Sequence, residues 1–226
     1  MQLRVVKLGG SQLKIPGLGA RLRQWVRSEP PAATLLVVGG GAPVDAIREL
    51  AQANPYDEEF LHWLCVDLME FSFRLLAAQL PEWPRVQTAD ELMRLVEDVN
   101  HEDVRATRVA ATLPRVGQPK SIQALVNVSA FYNRRTESAL PVRPPLSWDT
   151  TSDSLAALLA HLVHANELVL LKSCAVDVAR NETESGWERL ASLGVVDVAF
   201  PDVSRGLKRV RCVAMSSVES PAPPDN

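Results

Sequence analysis

The sequence predicts an α/β fold with a largely parallel sheet. Two runs, Val5-Val6-Lys7-Leu8-Gly9-Gly10-Ser11 and Leu36-Val37-Val38-Gly39-Gly40-Gly41, are apolar and β-branched and then break into glycines. A helix-like pattern follows each, as when a parallel strand hands the chain to a helix N-terminus. The third observation is that further apolar runs alternate with helical patterns along the rest of the chain.

Arg4 to Leu8 reads as a buried strand. Leu18, Leu22, Trp25 and Val26 then recur at helical spacing until Pro30-Pro31. Thr34 to Val38 is the second strand, and Val44, Ile47, Leu50 and Ala51 mark the next helix. A long helix is expected from about Glu58 to Leu80, with Leu61, Leu64, Leu68, Phe71 and Leu75 on one stripe and Pro81 and Pro84 beyond it. Ala89 to Val96 reads as a short helix, Thr107 to Leu113 fits either periodicity, and Ala124 to Val128 is strand-like. Leu140 to Leu146 is a proline-rich loop. Leu155, Leu158, Leu159, Leu162 and Val163 define an amphipathic helix, with Thr150 to Ser154 as its cap and first turn. Leu168 to Leu171 and Arg209 to Met215 complete the strands. No internal repeat is visible. Residues 1–215 are expected to form one domain, with an acceptor lobe over about 1–150 and a nucleotide lobe over about 151–215. The proline-rich segment 216–226 is expected to be disordered.

Composition excludes several classes. Apolar residues make up 46% and charged residues 23% of the 226, and the formal net charge is −3, which gives nucleic acid or an anionic membrane no reason to bind. The most apolar stretch, Leu155 to Leu171, contains His161, His164, Asn166 and Glu167 and is not a membrane span. Cys65, Cys174 and Cys212 are odd in number and widely spaced, so reduced thiols are expected rather than disulfides or a zinc site. The first strand follows Met1-Gln2 directly, which predicts no signal peptide and a cytoplasmic protein.

Three segments carry candidate chemistry. Lys7, two residues before Gly9-Gly10, sits where ligands bind in open α/β sheets. Its ammonium either bridges phosphate oxygens or snorkels to solvent. Gly39-Gly40-Gly41 is costly in backbone entropy and reads as a phosphate cradle or a flexible surface loop. In Ser147-Trp148-Asp149-Thr150-Thr151-Ser152-Asp153-Ser154, Asp153 either complements the helix dipole or holds two lysines, and Asp149 faces a ligand or caps. Lys172 ends a strand and competes with Lys208 as a second phosphate lysine. His62 on the long helix is a structural histidine or a substrate contact. His101, His161 and His164 read as structural or exposed, and no metal site is suggested. Neither a Walker loop nor a dinucleotide fingerprint in the expected register occurs.

Lys7-Leu8-Gly9-Gly10-Ser11, then Val37-Val38-Gly39-Gly40-Gly41, then Thr151-Ser152-Asp153 running into Ala156-Ala157 together resemble the amino acid kinase superfamily, which includes acetylglutamate kinase, aspartokinase and uridylate kinase. Within it the chain is most similar to the archaeal-type branch that phosphorylates an aminomethylfuran-methyl phosphate during methanofuran biosynthesis. Leu61-His62-Trp63, Leu146 to Asp149, Leu170-Leu171-Lys172, and Gly194 to Asp197 with Phe200-Pro201 carry that similarity. The resemblance implies a three-layer α/β/α sandwich that transfers a phosphoryl group from ATP with Mg²⁺ to a small phosphorylated acceptor. It implies that Lys7, Gly9, Gly10 and Ser11 stabilise the transferring group, that Gly39 to Gly41 hold the acceptor phosphate, and that Asp153 organises Lys7 and Lys172. Asp149 and His62 would meet the substrate. Lys172 to Val176 lacks the aspartate and glycine expected there, and Asp177 to Glu188 is short for an adenine lobe. Two alternatives follow, a kinase-fold binding protein without ATP turnover and a carboxylate kinase of the acetylglutamate type. A homodimer is expected through the apolar helix from about Glu58 to Leu80.

Overall fold

The computed structural model describes residues 1–110, 122–173 and 184–215. Its centre is a six-stranded sheet in the order β3-β4-β2-β1-β5-β6, with β1 at Leu3–Leu8, β2 at Ala33–Val38, β3 at Arg85–Val86, β4 at Gln123–Val126, β5 at Glu167–Lys172 and β6 at Val210–Ala214. Every paired strand is parallel. β1, β2 and most of β5 are buried along their length, which is why they read as continuous apolar runs rather than as alternating ones.

The strands divide the core by alternation. Leu3, Val5, Leu35, Val37, Leu168 and Leu170 face one side and Val6, Leu8, Leu36, Val38, Val169 and Leu171 the other. On the first side lie α4 (Ala89–Ala110), α5 (Ser152–Leu162) and α6 (Glu184–Ser192). On the second lie α1 (Leu18–Ser28) and the C-terminal half of α3 (Glu58–Gln79). The result is the expected three-layer sandwich. α2 (Ala42–Ala53) runs beside α3, and α7 (Phe200–Val203) packs on α5 and α6.

Several sequence expectations shift. Of the expected stripe, Leu61 is buried, Leu64 and Leu68 are half-buried and Phe71 and Leu75 are exposed, whereas His62, Val66, Met69, Phe73 and Leu76 point inward. The inward face contains His62 and Ser72, so an apolarity count picks the wrong side of a helix that is apolar nearly all round. α5 is likewise not amphipathic: Ser152 to Ala160 are all buried, because the helix is wedged between the sheet and α7. α2 buries no residue completely, and Leu50 is exposed. α4 continues well past Val96, β4 ends at Val126 with Val128 in a 3-10 turn, and β3, α6 and α7 are elements that the sequence pattern does not announce. Residues 111–113 of the ambiguous Thr107 to Leu113 stretch, Cys174, the Cys174 to Val176 departure, most of Asp177 to Glu188 and the 216–226 tail lie outside the described residues.

A charged network closes the opposite end of the sheet from the glycine turns. Arg4, only 3% exposed, donates to Glu167 at 2.7 Å, and Arg211 bridges Glu167 and Glu29. It ties β1, β5 and β6 to the end of α1, and such pairing fixes register more than it adds stability.

Candidate functional site

β1 and β2 are neighbours, with Lys7 opposite Val37 and Leu8 opposite Val38, so both glycine turns leave the sheet side by side. A Cβ on Gly10 would lie 2.2 Å from the amide nitrogen of Gly41 and 2.5 Å from the carbonyl oxygen of Gly39. Only glycine permits that approach. Gly41 adopts φ +64°, in the left-handed region, and opens α2. The first turn does not enter α1 directly. It passes through a 3-10 turn over Gly10–Lys14, and α1 begins only after Gly17, at φ +67°.

The carboxyl ends of β1 and β5 bring two lysines to one aspartate. Lys7 Nζ lies 2.8 Å from Asp153 Oδ1, and Lys172 Nζ lies 2.8 and 2.7 Å from the two carboxylate oxygens. Asp153 is supplied by the first turn of α5 and is 4% exposed. Burial pushes its carboxyl up, but Lys7 and Lys172 outweigh that and hold it below its ordinary value. Burial, and then the charge of Lys7, lowers Lys172. Two ammonium groups against one carboxylate leave a local excess of positive charge facing the glycine turns, which favours an anion there. Lys208 is exposed and precedes β6, at the other end of the parallel sheet, so Lys172 and not Lys208 shares Asp153 with Lys7.

Asp197 holds this arrangement from a distance. Its carboxylate accepts from the Thr151 amide at 3.0 Å, the Thr151 hydroxyl at 2.8 Å and the Ser154 amide at 3.0 Å, and also from the Ser154 hydroxyl. It thus caps α5 in place of the Thr151 side chain, which makes no cap bond of its own. Burial and the neighbouring Asp153 charge raise the Asp197 carboxyl. The Ala199 amide donates to the Asp149 carbonyl at 2.9 Å, closing the same junction.

These groups line a cleft of about 650 Å³, with Lys7, Gly9, Gly10, Ser11, Gly40, Gly41, Asp153 and Lys172 on its floor. Gly39 lies beneath, where a Cβ would sit 2.6 Å from Ser152 Oγ. Ser152 lines the cleft and is 7% exposed, and its hydroxyl makes no hydrogen bond among the described residues. Val44, Cys65, Val66 and Met69 form an apolar wall, and Arg48 lies 5.4 Å over the Trp148 ring at the rim. Burial pushes the Cys65 thiol up to about 11, so it is no nucleophile at neutral pH.

Of the expected substrate contacts, His62 reaches the cleft and Asp149 does not. His62 Nδ1 lies 3.2 Å from the Ser147 carbonyl and Nε2 2.8 Å from the Tyr132 hydroxyl, so both ring nitrogens are engaged. Burial lowers its pKa. The ring thus stands in the cleft wall with neither nitrogen free. Asp149 is exposed and absent from the described lining, and its backbone carbonyl accepts from the Ala199 amide. His161 binds the Val203 carbonyl, and His101 and His164 are exposed. Asp197, Ser152 and Arg48 also line the cleft, although the residue patterns assigned none of them a role.

No protein-family model and no curated protein matches the sequence. Solved structures do match. The chain is similar to the uridylate kinase of Archaeoglobus fulgidus at 14% identity and a TM-score of 0.55, covering 94% of this chain and 91% of that one. It is similar to the UMP kinase of Ureaplasma parvum at 13% identity and 0.59, covering 96% and 92%. The aspartate kinase of Synechocystis matches at 16% identity and 0.60 over 96% of this chain, which spans only 39% of that longer protein. At these identities the likeness concerns architecture. The chain has the three-layer, parallel-sheet fold of the amino acid kinases.

Proposed function

We propose that the chain is an ATP-dependent phosphotransferase acting on a small phosphorylated acceptor, and that the acceptor is the furan-type intermediate of a methanofuran-like cofactor. The observation that carries this reading is the Lys7–Asp153–Lys172 cluster, set where two glycine turns touch at the carboxyl edge of the sheet. Transfer of a phosphoryl group needs positioning and charge neutralisation more than covalent chemistry. In the proposed step the bond from the γ-phosphorus of ATP to its bridging oxygen breaks, a bond to an acceptor phosphate oxygen forms, and ADP leaves.

The cleft also suits a nucleophile that needs no base. Asp153 and Asp197 are fully committed to donors and both nitrogens of His62 are engaged, leaving none of these three free to take a proton from an alcohol. A phosphate monoester with a second pKa near about 6 is already an oxyanion at neutral pH. The apolar wall of Val44, Cys65, Val66 and Met69, with the His62 and Trp148 rings, fits a flat, weakly polar body behind that phosphate. The third lining carboxylate, Asp45, pairs with Arg48, so Mg²⁺ would be held by nucleotide phosphate oxygens and water rather than by these carboxylates.

The test is ADP formation with Mg-ATP and the phosphorylated aminomethylfuran, with N-acetylglutamate as the carboxylate control. Lys7→Ala should lower turnover by about a hundredfold or more. Turnover of N-acetylglutamate alone would replace the acceptor, and a parent protein that neither binds nor turns over Mg-ATP would leave a kinase-fold binding protein.

A further inference from the structure

A second cavity, of about 430 Å³, adjoins the first across Val66, on the far side of the His62–Tyr132 hydrogen bond. One wall is α3 and the other is the connection that follows β4. Asn127, the first residue past β4, lines it while only 4% exposed, and its side-chain amide has no hydrogen-bond partner among the described residues. Its amide atoms are open to the cavity rather than sealed from solvent, so a ligand or water can meet donors and an acceptor that the protein leaves unused.

The rest of the lining says what kind of ligand that is. Arg134 lies 5.7 Å over the Trp63 ring, which also stacks on Tyr132 at 5.0 Å. Neither Arg134 nor Arg135 has a carboxylate within ion-pair distance among the described residues, although both line the cavity. Stacking on Trp63 holds the Arg134 guanidinium in place, and a planar guanidinium matches a carboxylate or phosphate edge with paired hydrogen bonds. Two carboxylates stand on the α3 wall, Glu70, which pairs with Arg74, and Asp67, which has no ion-pair partner among the described residues. They repel negative charge near α3 and so keep an anion on the arginine side.

We infer that this cavity is a second small-molecule site, binding the carboxylate or phosphate group of a ligand between Arg134 and Arg135 with Asn127 hydrogen-bonding at its base. It does not depend on the phosphotransferase reading, since none of its residues contributes to the lysine cluster.

The test follows the Trp63 indole and Asn127 side-chain amide signals in ¹H–¹⁵N spectra of the full chain. Sodium phosphate and sodium succinate are titrated separately at constant ionic strength. Saturable shifts at both reporters are expected, with phosphate alone or succinate alone naming the group that the site prefers. Arg134→Gln with Arg135→Gln should weaken that binding roughly tenfold or more, and Asn127→Asp should abolish it. Lys7→Ala, which disturbs the main cleft, should leave it unchanged. No saturable shift with either anion would overturn the inference. So would shifts that survive the double arginine substitution, or shifts that vanish with Lys7→Ala.

Discussion

Asp153→Asn removes the negative charge and keeps the side-chain volume, so it isolates what the carboxylate does for Lys7 and Lys172. Both lysines contact it within 2.8 Å, and their side chains are only 6% and 12% exposed. At an effective dielectric of about 20, two unit charges about 4 Å apart interact by roughly 4 kcal/mol. Breaking a buried pair by removing one partner costs about 3–5 kcal/mol. Lys172 has a partial route to solvent and Lys7 has almost none, so a loss of about 3–4 kcal/mol is expected on that scale. Urea denaturation at neutral pH measures it, with an unchanged slope if the fold is intact. The sign with pH is fixed. Asp153 is held below its ordinary 3.8, so its stabilisation is present above that value and fades as pH falls through the lowered one. Parent and variant should therefore converge in acid. Added inorganic phosphate should raise the midpoint of the variant more than that of the parent, by supplying the missing negative charge. A loss below about 1 kcal/mol at neutral pH, a value typical of exposed pairs, would refute the account of a buried, mutually dependent cluster.

Other expectations follow from the same geometry. Gly10→Ala forces a Cβ to within 2.2 Å of the Gly41 backbone, so a loss of about 1–3 kcal/mol by thermal unfolding is expected, together with loss of phosphate binding by calorimetry. Asp197→Asn sets an amide NH₂ against donors on Thr151 and Ser154; it should cost about 1–3 kcal/mol in urea and lower Mg-ATP turnover with little change in acceptor KM. The outward stripe of α3, with Phe60, Phe71 and Leu75 exposed, should self-associate, so light scattering should give twice the chain mass for the parent and the chain mass for Phe71→Glu.

How much of this was legible depended on how local each cause is. The strands were readable because β1, β2 and β5 are buried on both faces and so are uninterrupted in apolarity. The glycine turns were readable because a close backbone approach leaves its mark in the residue type at the spot, as Gly10 against Gly41 shows. The inward face of α3 was not. His62 and Ser72 lie on it while Phe71 lies outside, and no count of apolar residues in one helix knows which neighbour it will meet. β3, with two residues, is too short for any periodicity. Asp149 was singled out for its charge, yet the contact it makes is through its backbone.

Asp197 shows why the remainder of the site was hidden. Its partner Thr151 is 46 residues away in sequence, so nothing around Asp197 marks it as a cap. Yet the two aspartates at the start of α5 are solved by different means. Asp153 is compensated by lysine charge and is held low; Asp197 is compensated by helix-terminal donors and is raised. This division has a consequence for ligand binding. The free amides of a helix N-terminus are a ready anion site, but at α5 the amides of Thr151 and Ser154 are already taken by a protein carboxylate. On the proposed reading, an incoming phosphate would be met by the lysine pair, the glycine turns and what remains of that terminus, the Ser152 hydroxyl and the amides of Ser152 and Asp153. α5 is thus a rigid mount for Asp153, and the burial of Ser152 to Ala160 gives that mount the stiffness that a fixed lysine pair requires.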